Sequence, residues 1–195
     1  LLVAIDSVEI TRTDLAAVCG VAKFYTEQDS IVLRRAPIVW YEDSQVTGDS
    51  INVYLKRRRL DRVKVIGNAF AVSRSDSNYP DRYDQITGEL MRMQFGDEGL
   101  QAIDVETRAI SLYHVYEDSL ANGLNKTSGD RIIILFNEGK VQSLRVIGGV
   151  EGRYLPENIV QGKELDYQIA GFQLYTNRPQ LHSMNSQVER QQQKK

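Results

Sequence analysis

The chain is poor in the residues that announce chemistry. Cys19 is the single cysteine, and histidine occurs twice, tryptophan once and proline four times in 195 residues. One cysteine excludes an intrachain disulfide framework, and two histidines beside it leave no Cys/His cluster able to hold a metal. No catalytic signature occurs anywhere, so the chain is read as a non-enzyme with no cofactor and no metal. Charge of one sign is lacking too. Lysine and arginine number 24 against 26 aspartates and glutamates, a net charge of −2. Nucleic-acid-binding domains carry a strongly basic face, so no nucleic-acid partner is expected. Nor does any apolar run approach the roughly 18 residues of a membrane-spanning helix. Asp6, Glu9, Arg12 and Asp14 interrupt the first stretch, which therefore does not read as a signal peptide. They also argue against reading "LAAVC", residues 15–19, as a lipoprotein cleavage box.

What the chain does have is a repeat. "QVTGD" at 45–49, "QITGE" at 85–89 and "KTSGD" at 126–130 place glycines at 48, 88 and 129, with a weaker "QIAGF" at 168–172 supplying Gly171. The spacings are 88−48=40, 129−88=41 and 171−129=42. Nineteen residues beyond the first three glycines stand Gly67, Thr107 and Gly148. A half copy, "DLAAVCGVA" from Asp14, matches "DRVKVIGNA" from Asp61, which pairs Cys19 with Ile66 and Ile147. Repeats of this length mean units that complete one another's core.

The register predicts strands. After each glycine the apolar positions alternate: Ile51, Val53, Leu55; then Met91, Met93, Phe95; then Ile132, Ile134, Phe136. Period two is a strand with one buried face. "ELMRMQF" taken alone suits a short helix, but its aligned partners "DSINVYL" and "DRIIILF" are too β-branched. "KRRR" at 56–59, "GDEG" at 96–99 and "NEGK" at 137–140 have the length of hairpin loops. The return strands place Val63 and Val65, Ile103 and Val105, Leu144 and Val146 on the same apolar face. "DSIVLRRAPIVWYE" at 29–42, "FAVSRS" at 70–75 and "AISLYHVYE" at 109–117 read as further strands, and "SDSNYPD" and "LANGLNKTSG" as turn-rich connections. No confident helix emerges. The fold class is all-β: repeated antiparallel hairpins in one domain over residues 1–180, with 181–195 expected to be a disordered tail.

"APIVWYEDSQVTGDSI" at 36–51, "GDRIIILFNEGKVQSLRVIGGVEG" at 129–152 and "GNA" at 67–69 resemble the OstA-like family of lipopolysaccharide-export proteins, which includes the periplasmic bridge protein LptA and the N-terminal domain of LptD. The likeness spans roughly residues 10–155 and lies in turns and alternation rather than in a catalytic fingerprint. It implies an open, V-shaped β-jelly roll in the periplasm, or a periplasmic domain of an outer-membrane protein. Its interior would shelter the lipid A acyl chains of lipopolysaccharide. Members join other Lpt components, or copies of themselves head to tail, through exposed edge strands. The lipid-groove candidates are then the fifteen alternating residues named above, from Ile51 to Val146. Ordinary β-sandwiches show the same alternation, so these residues line a groove or fill a dry core.

Other features have plainer readings. "KRRR" with Arg62 could meet lipid phosphates, though a charged tip that discourages edge aggregation explains it as well. Cys19 and His114 read as strand residues, and Asp76, Asp81 and Asp84 lack the oxygen-ligand pattern of a calcium loop. Asp49, Glu89 and Asp130 recur in every copy, which suits a structural turn rather than one catalytic pair. The competing architecture is a parallel β-helix, as in adhesins and polysaccharide-active proteins, whose rungs have a similar length.

Overall fold

The computed structural model describes residues 1–13 and 15–180; the expected tail over 181–195 and the Asp14 start of the half copy lie outside them. Twelve strands form one sheet: β1 (Leu2–Thr11), β2 (Leu15–Tyr25), β3 (Ser30–Arg34), β4 (Ile38–Tyr41), β5 (Ser44–Thr47), β6 (Ser50–Lys56), β7 (Arg59–Asp76), β8 (Tyr79–Gly96), β9 (Gly99–Glu117), β10 (Leu120–Asn137), β11 (Lys140–Ile147) and β12 (Glu151–Pro156). A short helix α1 (Glu157–Val160) and a 3-10 turn (Glu164–Tyr167) follow. Every strand pairing is antiparallel. The parallel β-helix is thereby overturned, since tight hairpin loops cannot join parallel neighbours.

The long strands change partners halfway. Residues 59–66 of β7 pair with β6, whereas 70–73 pair with β5. Likewise β10 pairs with β11 through 131–137 and with β12 through 123–128. The sheet is therefore two arms joined along a crease. A first arm runs β1-β2-β3-β6-β7-β8-β9-β10-β11, and a second runs β1-β2-β4-β5-β7-β8-β9-β10-β12. Residues of both arms meet in one apolar cluster, which lies between them.

The crease explains the repeat. On one set of strands it is made by residue pairs with positive φ: Asp6–Ser7, Arg35–Ala36, Gly67–Asn68, Thr107–Arg108 and Gly148–Gly149. On the intervening strands stand Gly48, Gly88 and Gly129. A Cβ on these would lie 2.3 Å from Val65 Cγ1, 2.4 Å from Val105 Cγ1 and 2.6 Å from Val146 Cγ1. The backbone passes too close to the neighbouring valine for any side chain, and so the motif needs glycine. The acid that follows ties down the adjacent strand. Asp49 N–H donates to Gly67 O at 2.9 Å and Asp130 N–H to Gly148 O at 2.8 Å. Asn68 Nδ2 donates to the Asp49 carboxylate at 3.1 Å, and Arg108 pairs with Glu89. These acids are structural, as expected, but they mark the crease rather than a hairpin turn: Glu89 and Asp130 lie within the continuous strands β8 and β10, and Asp49 at the bend between β5 and β6.

Three expectations are corrected here. "LANGLNKTSG" is not a connection but the second-arm half of β10, because the residues needed to cap each hairpin number only two. "QIAGF" builds no strand: Gly171 lies in a turn that Phe172 N–H closes on Ile169 O at 3.0 Å, with Phe172 against Tyr83. The half copy also aligns differently. β2 runs in the direction of β6, β8 and β10, and Gly20 N–H donates to Arg35 O at 2.9 Å, as Asp49 does to Gly67. Cys19 therefore takes the place of the motif glycine and is buried opposite Val8, whereas Ile66 and Ile147 are exposed. It remains a strand residue. Burial pushes its thiol up, beyond what the hydrogen bond to Val21 O at 3.3 Å pulls back.

Candidate functional site: an apolar trough between the arms

Antiparallel register turns the alternation of single strands into rungs that cross the whole first arm. Ala4, Ala22, Leu33, Ile51, Val65, Met91, Val105, Ile132 and Val146 are successive partners. A second rung runs Phe24, Ile31, Val53, Val63, Met93, Ile103, Ile134 and Leu144. Directly opposed apolar pairs are the unit of sheet stabilisation, and here they are continuous. All fifteen groove candidates fall in or against one cluster: Leu55, Phe136, Leu144 and Val146 are partly buried and the others buried.

Sequence reasoning missed the opposite wall. Ala17, Val39, Val46, Ala71 and Ile86 form a rung of the second arm and belong to the same cluster. Strand alternation signalled some of these residues, but only the crease shows that they face Ile51 and Val65. The two walls do not close evenly. Along the second rung of the first arm, relative exposure climbs from Val53 at 1% through Val63 at 3%, Met93 at 4% and Ile103 at 6% to Ile134 at 8%, and Leu144 is only partly buried. On the other side of β6, Ile31 is 7% exposed and Phe24 only partly buried, so the trough is tightest at β6 and β7 and loosens toward β2 as well as toward β11. At its middle Tyr41 meets Phe95 edge to face, ring centroids 5.0 Å apart, which links the arms above a cleft of about 450 Å³.

The outer faces differ. On the first arm Arg92 reaches Glu106 at 2.9 Å and Arg131 reaches Asp104 at 2.7 Å, a solvated charge ladder. The hydrogen bond that Arg92 donates to Glu106 holds its guanidinium above the ordinary pKa. On the second arm the outer face is apolar: Phe70, Val72, Leu112 and Leu124 in one cluster, Ala16, Ile38 and Trp40 in another. Residues 157–175 cover it as a strap, contributing Val160, Ile169 and Tyr175. The strap has no ladder partner and is held by side chains instead. Buried Gln45 donates from Nε2 to Gln173 O and accepts from Tyr175 N–H, both at 2.8 Å. Buried Gln85 accepts from Ile169 N–H at 2.9 Å. These are the first letters of "QVTGD" and "QITGE". Two-faced amides satisfy strap groups that would otherwise lie buried without partners.

Arg82 had no sequence signal. Its side chain is 2% exposed, lies 4.6 Å over the Tyr79 ring, and binds Glu157 at 2.5 Å and Glu164 at 3.1 Å. Burial pulls the guanidinium down, but Glu157 and Glu164 more than offset it and its pKa is raised. Burial likewise opposes ionisation of Glu164, yet backbone hydrogen bonds and Arg82 bring its carboxyl below the ordinary value. His114, also buried, meets Asp84 Oδ1 through Nδ1 at 3.1 Å and through its N–H at 2.9 Å. "KRRR" sits at the β6–β7 tip, where Arg59 pairs with Asp97 at 2.6 Å. Among the described residues there is no group of three or more His, Cys, Asp or Glu able to hold a metal ion. No helix among them is long and apolar enough to cross a membrane.

No protein-family model and no curated protein sequence matches the chain. Among solved structures, it is similar to LptH from Pseudomonas aeruginosa, described as the LptA-homologous periplasmic component of the conserved lipopolysaccharide transport device. The TM-score is 0.54 at 12% identity, over 73% of this chain and 95% of that one. The all-β jelly roll of the LptA type is accordingly the fold of this chain.

Proposed function

We propose that the chain is a non-enzymatic carrier of the lipopolysaccharide-export path in the periplasm, which shelters lipid A acyl chains in the trough between its arms. One observation carries this reading: apolar rungs cross the whole first arm, tightest at β6 and β7 and progressively less buried from there to β11, in a fold shared with LptH. Burying a methylene is worth about 0.8 kcal/mol, so a chain of roughly ten gains about 8 kcal/mol of shelter. Ile134, Phe136, Leu144 and Val146 are then the first groove residues an acyl chain meets.

The edges support assembly with other Lpt components or with further copies. β1 pairs only with β2, and β11 ends the opposite side of the sheet. Leu2, Val3 and Ile5 on β1 and Val141 and Ile147 on β11 are exposed apolar residues along those edges. Unpaired N–H and C=O groups there can add a strand from a partner. A photo-crosslinking residue at Ile134 or Phe136 in cells is expected to capture lipopolysaccharide more strongly than one at Val53. Absence of any lipid adduct at every inward position would leave only an assembly scaffold with a filled core.

A further inference from the structure

The inner wall of the second arm changes character along its length. Its deeper rung is apolar from Ala17 to Ile86, then continues through Ser111, Thr127 and Gly152. The next rung toward the hairpin tips carries Tyr113 and Asn125 at the same end. This is one of the two ends toward which the trough loosens, and at Gly152 a Cβ would meet nothing within 4 Å. The wall opposite stays hydrocarbon, with Ile134 and Leu144 as partners. An apolar wall therefore faces a neutral polar one.

The polar residues are organised. Thr127 Oγ1 donates to Asn125 Oδ1 at 3.0 Å, and Asn125 Nδ2 donates to the Tyr113 hydroxyl at 2.9 Å. That relay leaves the phenolic proton of Tyr113 to be given elsewhere. Ser111 is 2% exposed, and its hydroxyl has no hydrogen-bond partner among the described residues. A buried hydroxyl left unpaired costs stability, and a dry core would be better served by alanine. None of the four is charged, which disfavours a phosphate and suits a hydroxyl or amide.

We infer that Ser111, Tyr113, Asn125 and Thr127 form a subsite for the neutral hydroxyl or amide group at the head end of an acyl chain, whose hydrocarbon lies against Ile134 and Leu144. The subsite rests on the carrier reading above and gives it chemical specificity. It discriminates among lipids by what is attached near the root of the chain, since a site built to hydrogen-bond a group rejects the analogue lacking it.

Displacement of a fluorescent fatty acid by dodecanoate and by 3-hydroxydodecanoate tests this on the full chain. The hydroxylated probe is expected to bind about fivefold tighter, the value of one added hydrogen bond. Tyr113→Phe and Ser111→Ala should bring the ratio toward one, and Ser111→Ala should do so without lowering the Tm. Phe136→Ala should weaken both probes and keep the ratio. Equal binding of both probes to the wild-type chain, or a ratio untouched by Tyr113→Phe and Ser111→Ala, overturns the subsite while the carrier reading stands. Failure of both probes to bind overturns both readings.

Discussion

The two arms are built from the same long strands and yet solve different problems. The first arm keeps its buried apolar residues on one face and turns a charged ladder, Arg92, Asp104, Glu106 and Arg131, to solvent. The second has apolar residues on both faces and requires 157–175 to cover the outer one. The first arm would therefore tolerate an outer surface with no partner, whereas the second depends on a segment tethered by a few polar side chains. Continuous strands crossing a crease allow this, because alternation restarts with a new set of neighbours on each side.

The largest blow to the comparison should come from the floor of the shared core. Met91→Ala removes a fully buried side chain from the middle of the deepest rung and should cost about 3 kcal/mol in a chemical denaturation series. The strap offers a more local break. Arg82→Leu removes its charged hydrogen bonds to Glu157 and Glu164 and should loosen it by about 2 kcal/mol. The effect is read in the fluorescence of Trp40, the single tryptophan, which lies in the cluster beneath Tyr175. Acid should act on the same element. Because the Glu164 carboxyl is held low in the folded chain, its contribution is present above the ordinary carboxylate value and lost as pH falls through the folded one. The Trp40 signal should then shift before far-UV circular dichroism does, and Glu164→Gln should remove that separation.

A crease variant affects both arms together. Gly48→Ala puts a Cβ 2.3 Å from Val65 Cγ1 and should cost about 1–2 kcal/mol, seen as a lower Tm with the strap still docked. The smallest effect belongs to the outer ladder. Arg92→Ala removes pairs that are half in solvent and should cost less than about 1 kcal/mol, a loss that added salt erases.

Particular residues show what could be read in advance. The alternation at Ile51, Met91 and Ile132 named the first-arm rungs because a strand with one buried face writes its periodicity locally. The motif glycines were visible as a repeat, but their cause was not: the valine each would strike lies on the next strand, 17 residues on in every copy, as from Gly48 to Val65. "QIAGF" misled because its letters match while it lacks a partner strand. Cys19 was paired with Ile66 because sequence similarity does not carry strand direction.

By itself, then, the chain determined that it is all-β, that its strands pair as neighbouring hairpins, and that one face of each is apolar. Those properties depend on residues two apart and on turns of two residues. Only the tertiary structure decided which face meets which. Gln45 holds Tyr175 from 130 positions away, Arg82 meets Glu157 across 75, and Ser111 acquires its setting from Ile86 and Thr127. Such contacts follow from where the crease folds the sheet, and a crease brings together residues whose only shared property in sequence is their distance from a glycine.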